Sequence, residues 1–334
     1  MTSCAWLENM MSIETDGWTR PCCLETNNAA RISKISDGIT VAFNHPKLMQ
    51  LRDDLKDGFS DKTHYACNRC ASLESRGQDS MRTTTQKVAS NDRELKVLQF
   101  KMSNKCQLTC SHCGPERSSG WRKLLNINPH VINSFEVTDE FLTELKDLLP
   151  GLEVLKFSGG EPFLDPRHWK ILDALNDQNR NHCRLEYITN GLVVPQYNLW
   201  KGWGEVKCSV SADGYEETFN WFRRGANWNE LVYSVKELEK HSDVSINYAI
   251  TPYTFESWPT ANEFWKYNVS PYLVVYPNSN SFFEFPENLI DVGIPFRSAA
   301  AKLGNVYFYK NWARSWDTKW NTEGWAERIF NWMR

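Results

Sequence analysis

Three cysteines close the stretch that decides the fold, LKVLQFKMSNKCQLTCSHC, which occupies residues 95–113. Its first part, Leu95–Lys101, is predicted to form a strand, and the loop that follows carries Cys106, Cys110 and Cys113. Gaps of three and two residues allow three thiolates from one loop to converge on a single metal centre. Thiolate is the soft ligand that iron–sulfur clusters require, and three ligands leave one iron of a four-iron cube open to a small molecule.

Strands and helices alternate from residue 95 onward. Thr138 is predicted to cap an amphipathic helix that ends at Pro150–Gly151, and a second helix is predicted over Trp169–Leu175. The predicted strands after the first are Leu152–Phe157, Leu185–Thr189, Val206–Val210, Val244–Ile250 and Tyr272–Tyr276. Strands separated by helices indicate an α/β fold with a parallel sheet.

Composition excludes several classes of function. The chain has 334 residues, of which 41% are hydrophobic and 24% charged, and its net charge of −3 lacks the basic excess expected of a nucleic-acid binder. No run of about 18 apolar residues predicts a membrane-spanning helix. The N-terminus has no basic segment ahead of an apolar core, so no secretory signal is predicted and the protein is expected in the cytoplasm.

The first 75 residues form a small cysteine-rich unit. Asp16–Gly17 is a two-residue hairpin signal, and a helix is predicted over Pro46–Lys56, ahead of Cys67 and Cys70. Eight of the ten cysteines precede residue 114, which in a large chain without an export signal favours metal over disulfides. So small a unit lacks a sufficient core, and a metal centre would supply the missing constraint.

Zinc is the alternative metal for both groups of cysteines. The triplet could take His112 or a distant cysteine as a fourth zinc ligand, and Cys4, Cys22, Cys67 and Cys70 could form a zinc site of their own. The remaining cysteines of the strand regions, Cys183 and Cys208, are interpreted as small buried hydrophobic residues.

Two motifs together resemble the radical S-adenosylmethionine (SAM) superfamily. They are the triplet after the first strand and Ser158-Gly159-Gly160-Glu161-Pro162, which closes the next strand as the Gly-Gly-Glu-Pro motif does in that family. The resemblance implies that the triplet holds a 4Fe–4S cluster and that Glu161 receives the methionine amino group of SAM. Further matches imply SAM contacts at Asn190, Ser211, Asp213 and Arg224, with Arg224 holding the SAM carboxylate. Together with Ser158, Gly159 and Gly160, these residues form the expected cofactor site.

The N-terminal unit is similar to the auxiliary-cluster domains called Twitch and SPASM. The similarity rests on the hairpin, on Pro21-Cys22-Cys23 and on the helix before the last cysteine pair, although such a domain ordinarily follows the barrel. It implies a second, auxiliary 4Fe–4S cluster on Cys4, Cys22, Cys67 and Cys70, with Cys23 as the spare thiol.

The resemblance implies a partial (βα)6 barrel with a small N-terminal α+β domain. The expected divisions are an auxiliary-cluster domain over 1–75, a linker over 76–94, the barrel over 95–285 and a Trp-rich helical extension over 286–334. The implied activity is reductive cleavage of SAM to a 5′-deoxyadenosyl radical, which takes hydrogen from a peptide or small metabolite and gives a net oxidation or a crosslink. Flavodoxin or ferredoxin would donate the electron, and neither nucleic acid nor membrane is an expected partner. The alternative function is a non-catalytic zinc or electron-transfer module.

Overall fold

The computed structural model describes residues 2–23, 28–75, 77, 79–85, 93–127, 135–251, 254, 257–266 and 269–273. Eight strands in this part of the chain form one sheet in the order β2-β1-β3-β4-β5-β6-β7-β8. The strands are β1 Met10–Ile13, β2 Thr19–Arg20, β3 Val97–Lys101, β4 Val154–Ser158, β5 Arg180–Thr189, β6 Trp203–Ser211, β7 Asp243–Ile250 and β8 Val269–Leu273. Every neighbouring pair is parallel except β1 and β2.

Helices lie between the strands along the chain and pack against the sheet. The described helices are α1 Ala5–Asn9, α2 Ile39–Phe43, α3 Pro46–Lys56, α4 Asp61–Glu74, α5 Met81–Thr85, α6 Ser119–Leu124, α7 Asp139–Leu148, α8 Pro166–Ala174, α9 Glu217–Phe222, α10 Trp228–Leu238 and α11 Trp258–Trp265. The strand–helix order from β3 to β8 is the partial (βα)6 barrel expected from the sequence. None of these helices combines the length and the apolarity that crossing a bilayer requires.

Alternation along the strands separates an apolar face from a polar one. Leu98, Phe100, Leu155 and Phe157 are buried together with helix residues such as Leu145. The opposite face carries a row of residues that pair in register across six strands, here called the polar row: Ser12, Gln99, Lys156, Glu186, Lys207 and Asp243. One face of the sheet therefore packs into the main core, and the other carries the polar row beside a smaller buried cluster in which Val97 and Val154 pack with Trp6 of α1.

The N-terminal segment shares this sheet. β1 runs parallel to β3, with Ser12 opposite Gln99, and the predicted hairpin is confirmed by the antiparallel pairing of β1 with β2. Leu7 and Leu51 are buried in the same hydrophobic core as the strands that follow. The first 75 residues therefore contribute two strands to the sheet and side chains to its core. Their division from the barrel as a separate domain stays a prediction.

Most predicted elements occur, and several have different bounds: β5 begins at Arg180, five residues before its predicted start, and α8 and β6 each begin three residues early. The helix over Pro46–Lys56 has its predicted bounds. Cys67 and Cys70 lie within α4, since that helix runs on to Glu74, and α5 lies in the stretch predicted as a linker. The last strand begins at Val269, three residues before its predicted start at Tyr272. The predicted Trp-rich extension over 286–334 lies outside the described residues.

Candidate metal and cofactor site

The three cysteines of the triplet lie in the segment between β3 and α6, called here the cysteine loop (residues 102–118). The loop is tied to the chain after α9, because the backbone N–H of Thr109 donates to the carbonyl of Arg224 at 2.9 Å and that of Ser111 to Phe222 at 2.8 Å. On its other side, the N–H of Gly120 donates to the carbonyl of Cys106 at 3.0 Å. Backbone contacts therefore tie the loop to the chain on both sides.

Gly159 and Gly160 press against the start of this loop. The N–H of Gly160 donates to the carbonyl of Ser103 at 2.7 Å, and the N–H of Glu161 to that of Lys105 at 2.8 Å. A Cβ at Gly160 would lie 2.5 Å from the Lys105 carbonyl oxygen, and one at Gly159 would lie 2.8 Å from that of Ser103. Glycine is required at both positions because the backbone of the cysteine loop approaches too closely for a side chain. The two motifs are thereby fixed side by side at the carboxyl ends of β3 and β4.

Glu161 joins the end of β4 to the end of β5. Its two carboxylate oxygens accept hydrogen bonds from the backbone N–H of Asn190 (2.7 Å), the hydroxyl of Thr189 (2.8 Å) and the N–H of Phe163 (3.2 Å). Burial raises the pKa of Glu161 to about 7 despite these donors. The carboxylate is thus engaged by the chain, and its predicted contact with the SAM amino group stays a prediction.

Burial and a neighbouring cation act in opposite directions on the triplet thiols. Burial raises the pKa of Cys106 to about 11 and that of Cys110 to about 12, and it also raises the pKa of Cys113. The positive charge of Arg223 lowers all three pKa values, and the thiols influence one another. Since cluster ligands are thiolates, loading a cluster here at neutral pH would release protons, and Arg223 would favour that release.

The arginine beside the cysteines is Arg223, next to the predicted Arg224. The Arg223 side chain is buried, with one terminal nitrogen 2.6 Å from Asp213 Oδ2 and the other 3.9 Å from Cys110 Sγ. Arg224 has an exposed side chain, and its backbone carbonyl accepts from Thr109. The sequence did not predict a role for Arg223. The segment Arg223-Arg224-Gly225 indicated an arginine at the site but did not show which of the two it is.

His112 lies within the same buried group. Its ring stacks on Phe222 with centroids 5.2 Å apart, and its Nδ1 is 3.8 Å from Asp213 Oδ2. Burial lowers the pKa of His112 to about 4, so the ring is neutral at neutral pH. His112 belongs to the cysteine loop, and a second histidine, His168, is fully buried in α8.

The other predicted SAM contacts follow strands at the same edge of the sheet. Asn190 follows β5, and its side-chain amide lies 3.2 Å from Gln107 and 3.9 Å from Cys106 Sγ. Ser211 ends β6 opposite Asn247 of β7. Asp213 accepts from the N–H of Ala249 at 2.6 Å in addition to its pairing with Arg223. The carboxyl ends of parallel strands are where α/β folds place ligands, as predicted.

The N-terminal cysteines lie in two groups. Burial raises the pKa of Cys4 to about 11. Arg82 links the Cys4 end of the chain to α4, since it donates to the Ser3 carbonyl at 3.1 Å and pairs with Glu74. Cys23 has a pKa lowered to about 7 by a hydrogen bond with Cys22 and, after the opposing effect of burial, by Lys101 and Lys156. Cys4 and Cys23 both pack against the small apolar cluster that contains Trp6. Within the described ranges, no three His, Cys, Asp or Glu side chains surround a point where one metal ion could bind.

The donors present fit the cofactors that the sequence implies. Three thiols from one loop, with a buried cation beside them, match the donor chemistry of a thiolate-bound iron–sulfur cluster. A cluster is bound through several irons, so its thiolates need not meet at a single ion. Cys183 and Cys208 are fully buried, as predicted for small hydrophobic residues.

Comparison with known proteins gives one family match and several partial relatives. The family described as Radical SAM superfamily matches residues 100–264. The GTP 3′,8-cyclase of Peptoclostridium acidaminophilum is 24% identical over 150 residues, 44% of this chain and 43% of that protein. A probable GTP 3′,8-cyclase of Methanococcus maripaludis is 26% identical over 164 residues, 48% of each. The chain thus spans less than half the length of these relatives. Streptococcus suis SuiB bound to S-adenosylmethionine is 15% identical, with a TM-score of 0.43 over 84% of this chain and 60% of that one.

Proposed function

Because the chain belongs to the radical SAM superfamily through residues 100–264, we propose that Cys106, Cys110 and Cys113 hold its 4Fe–4S cluster and that the surrounding strand ends hold SAM. When bound, the cluster and SAM supply a 5′-deoxyadenosyl radical that removes a hydrogen atom from the substrate. The observation that carries the proposal is the backbone pairing of Gly160 with Ser103 at 2.7 Å, which joins the cysteine loop to the Gly-Gly-Glu-Pro motif.

The chain's own residues would bind SAM around that junction. Ser158, Gly159, Gly160 and Glu161 at the end of β4 line one side, and Asn190 and Ser211 supply polar groups from the next two strand ends. Asp213 contributes by fixing the loop after β6 through Ala249. Arg224 has an exposed side chain that is available for the SAM carboxylate.

The polar row supports a polar substrate, either a peptide or a small metabolite. Lys156 lies 3.2 Å from Glu186, and Lys207 lies 3.5 Å from Asp243, so this face presents charges of both signs. An apolar substrate would strip water from these groups without replacing their hydrogen bonds. The names of the curated relatives make GTP the first small metabolite to test.

A second cluster on Cys4, Cys22, Cys67 and Cys70 would accept an electron from the substrate radical. Such an acceptor makes the expected outcome a net oxidation or a crosslink, and flavodoxin or ferredoxin would reduce the first cluster. The link that Arg82 makes between the Ser3 carbonyl and Glu74 of α4 supports this arrangement. Replacing the four cysteines with alanine should roughly halve the iron content and leave SAM cleavage intact, whereas Cys23→Ala should keep all the iron.

The central test is anaerobic SAM cleavage. The reduced parent protein should contain iron and sulfide and form 5′-deoxyadenosine, and the variant with Cys106, Cys110 and Cys113 all replaced by alanine should form none. Cys183→Ala, which removes a buried thiol from β5, is the matched control and should retain cleavage. Continued cleavage in the triple variant would refute the site, and bound zinc without cleavage in the parent would favour a non-catalytic module.

A further inference from the structure

Arg223 bridges a cysteine of the triplet and a buried carboxylate. Its side chain is 7% exposed and that of Asp213 is 0% exposed, and the two are paired at 2.6 Å. The other terminal nitrogen donates toward Cys110 Sγ at 3.9 Å. Cys110 is the most buried of the three cysteines. This cation therefore contacts the most buried of the three triplet cysteines.

The position of Arg223 is fixed from both ends. Asp213 also accepts from the N–H of Ala249 in β7 at 2.6 Å, which holds the carboxylate in place. The backbone N–H of Arg223 donates to the carbonyl of Phe219 at 2.8 Å, at the end of α9. A guanidinium held in this way has little freedom to turn toward solvent, and its planar fork reaches carboxylate and sulfur at once.

We infer that Arg223, positioned by Asp213, raises the reduction potential of the cluster held by Cys106, Cys110 and Cys113. The inference rests on the proposed function, because it needs a cluster on these cysteines. Hydrogen bonds to the sulfurs, local charge and burial are the means by which proteins tune such clusters. Reduction by an external one-electron donor adds a negative charge to the cluster, and a fixed cation stabilises that state most where water is excluded.

Arg223 and Asp213 have opposite charges, so their net effect decides the direction. The guanidinium places its positive charge next to Cys110 Sγ, with one terminal nitrogen 3.9 Å from the sulfur and the other paired with the carboxylate. The cation also donates directly toward the sulfur, whereas Asp213 reaches it only through Arg223. The pair therefore favours the reduced cluster.

The experiment is a redox titration of the reconstituted protein, followed by the spectrum of the reduced cluster. Arg223→Gln should lower the ratio of reduced to oxidised cluster about tenfold at a fixed solution potential, which is 59 mV for one electron. Lys123→Gln removes the same charge from an exposed position of α6 and should leave the potential unchanged. Arg223→Lys keeps the charge without the fork and should give a smaller shift.

A variant that removes both charges controls for misfolding of the single variant. Arg223→Gln alone leaves Asp213 buried without its partner, whereas the double variant Arg223→Gln/Asp213→Asn leaves no buried charge and should still lower the potential. A potential equal to that of the parent in a variant with full iron and sulfide content would overturn the inference. A parent protein that binds no iron at the triplet would instead overturn the proposed function.

Discussion

The two groups of cysteines differ in what holds them. The triplet lies in a loop that is fixed by backbone hydrogen bonds to Phe222 and Arg224 and is packed against Gly160. The N-terminal cysteines lie on separate elements, with Cys4 at the start of α1 and Cys67 and Cys70 on α4. Backbone hydrogen bonds within one loop organise the first group, whereas the proposed second cluster would have to join cysteines from separate elements.

The largest expected difference between the N-terminal cysteine region and the cysteine loop is in how their local stability responds to removal of metal. α4 buries only Thr63 and Ala66, whereas the neighbouring α3 buries Leu48, Leu51 and Leu55. After anaerobic chelation, hydrogen exchange in α4 should accelerate roughly a thousandfold, about 4 kcal/mol of local opening free energy, because metal binding there contributes folding energy.

The internal control for that measurement is α3, whose exchange should change little because its apolar side chains stay buried. Equal protection of α4 with and without metal would contradict the idea that this region needs a ligand.

A methyl group at Gly160 should disrupt the contact between the Gly-Gly-Glu-Pro motif and the cysteine loop. The added Cβ of Gly160→Ala meets the Lys105 carbonyl at 2.5 Å, and backbone cannot move away as a flexible side chain can. We expect the free energy of unfolding to fall by about 3 kcal/mol and SAM cleavage to fall at least about tenfold. Urea denaturation and 5′-deoxyadenosine formation measure the two effects.

Gly151→Ala is the matched control, since its added Cβ would meet nothing within 4 Å. Equal denaturation midpoints for the two variants would show that the contact between the motifs is not tight.

Asp165 holds the cysteine loop from the side of α8. Its carboxylate accepts from the Ser103 hydroxyl at 2.6 Å and from Arg167 at 2.5 Å, and these bonds outweigh burial and lower its pKa. Asp165→Ala also removes the N-cap of α8, so we expect about 2 kcal/mol less stability by urea denaturation. Asp177→Ala breaks an exposed ion pair with Lys146 and should change stability little. An equal loss in both variants would contradict a specific support for the loop.

The sequence predicted elements that depend on local signals. Pro46 and the leucines after it were sufficient for α3, and the alternating pattern with Gly159–Gly160 located β4 and its motif. Two features depend on pairings between distant segments and could not be read locally. One is the parallel pairing of Ser12 with Gln99, which places the N-terminal segment in the sheet.

The other feature is the choice between Arg223 and Arg224. It depends on how α9 ends relative to Asp213, which adjacent arginines do not reveal in the sequence. The bonds from Thr189 and Asn190 that occupy Glu161 likewise come from a strand almost thirty residues away. The residue types of the site were thus predictable, and their partners were not.

His168 should give the barrel a dependence on pH that requires no metal. It is fully buried, its Nε2 lies 2.9 Å from the Tyr187 hydroxyl, and burial lowers its pKa to about 3 from an ordinary 6.5. Between these values the unfolded chain binds a proton that the folded chain does not, so stability falls as pH falls below 6.5. The slope from this group is about 1.4 kcal/mol per pH unit. His168→Gln should remove that slope from the urea stability profile, whereas His182→Gln, at an exposed position, should keep it. If both variants follow the parent profile, the acid sensitivity of the barrel comes from other groups. In that case water reaches His168 more readily than its burial indicates.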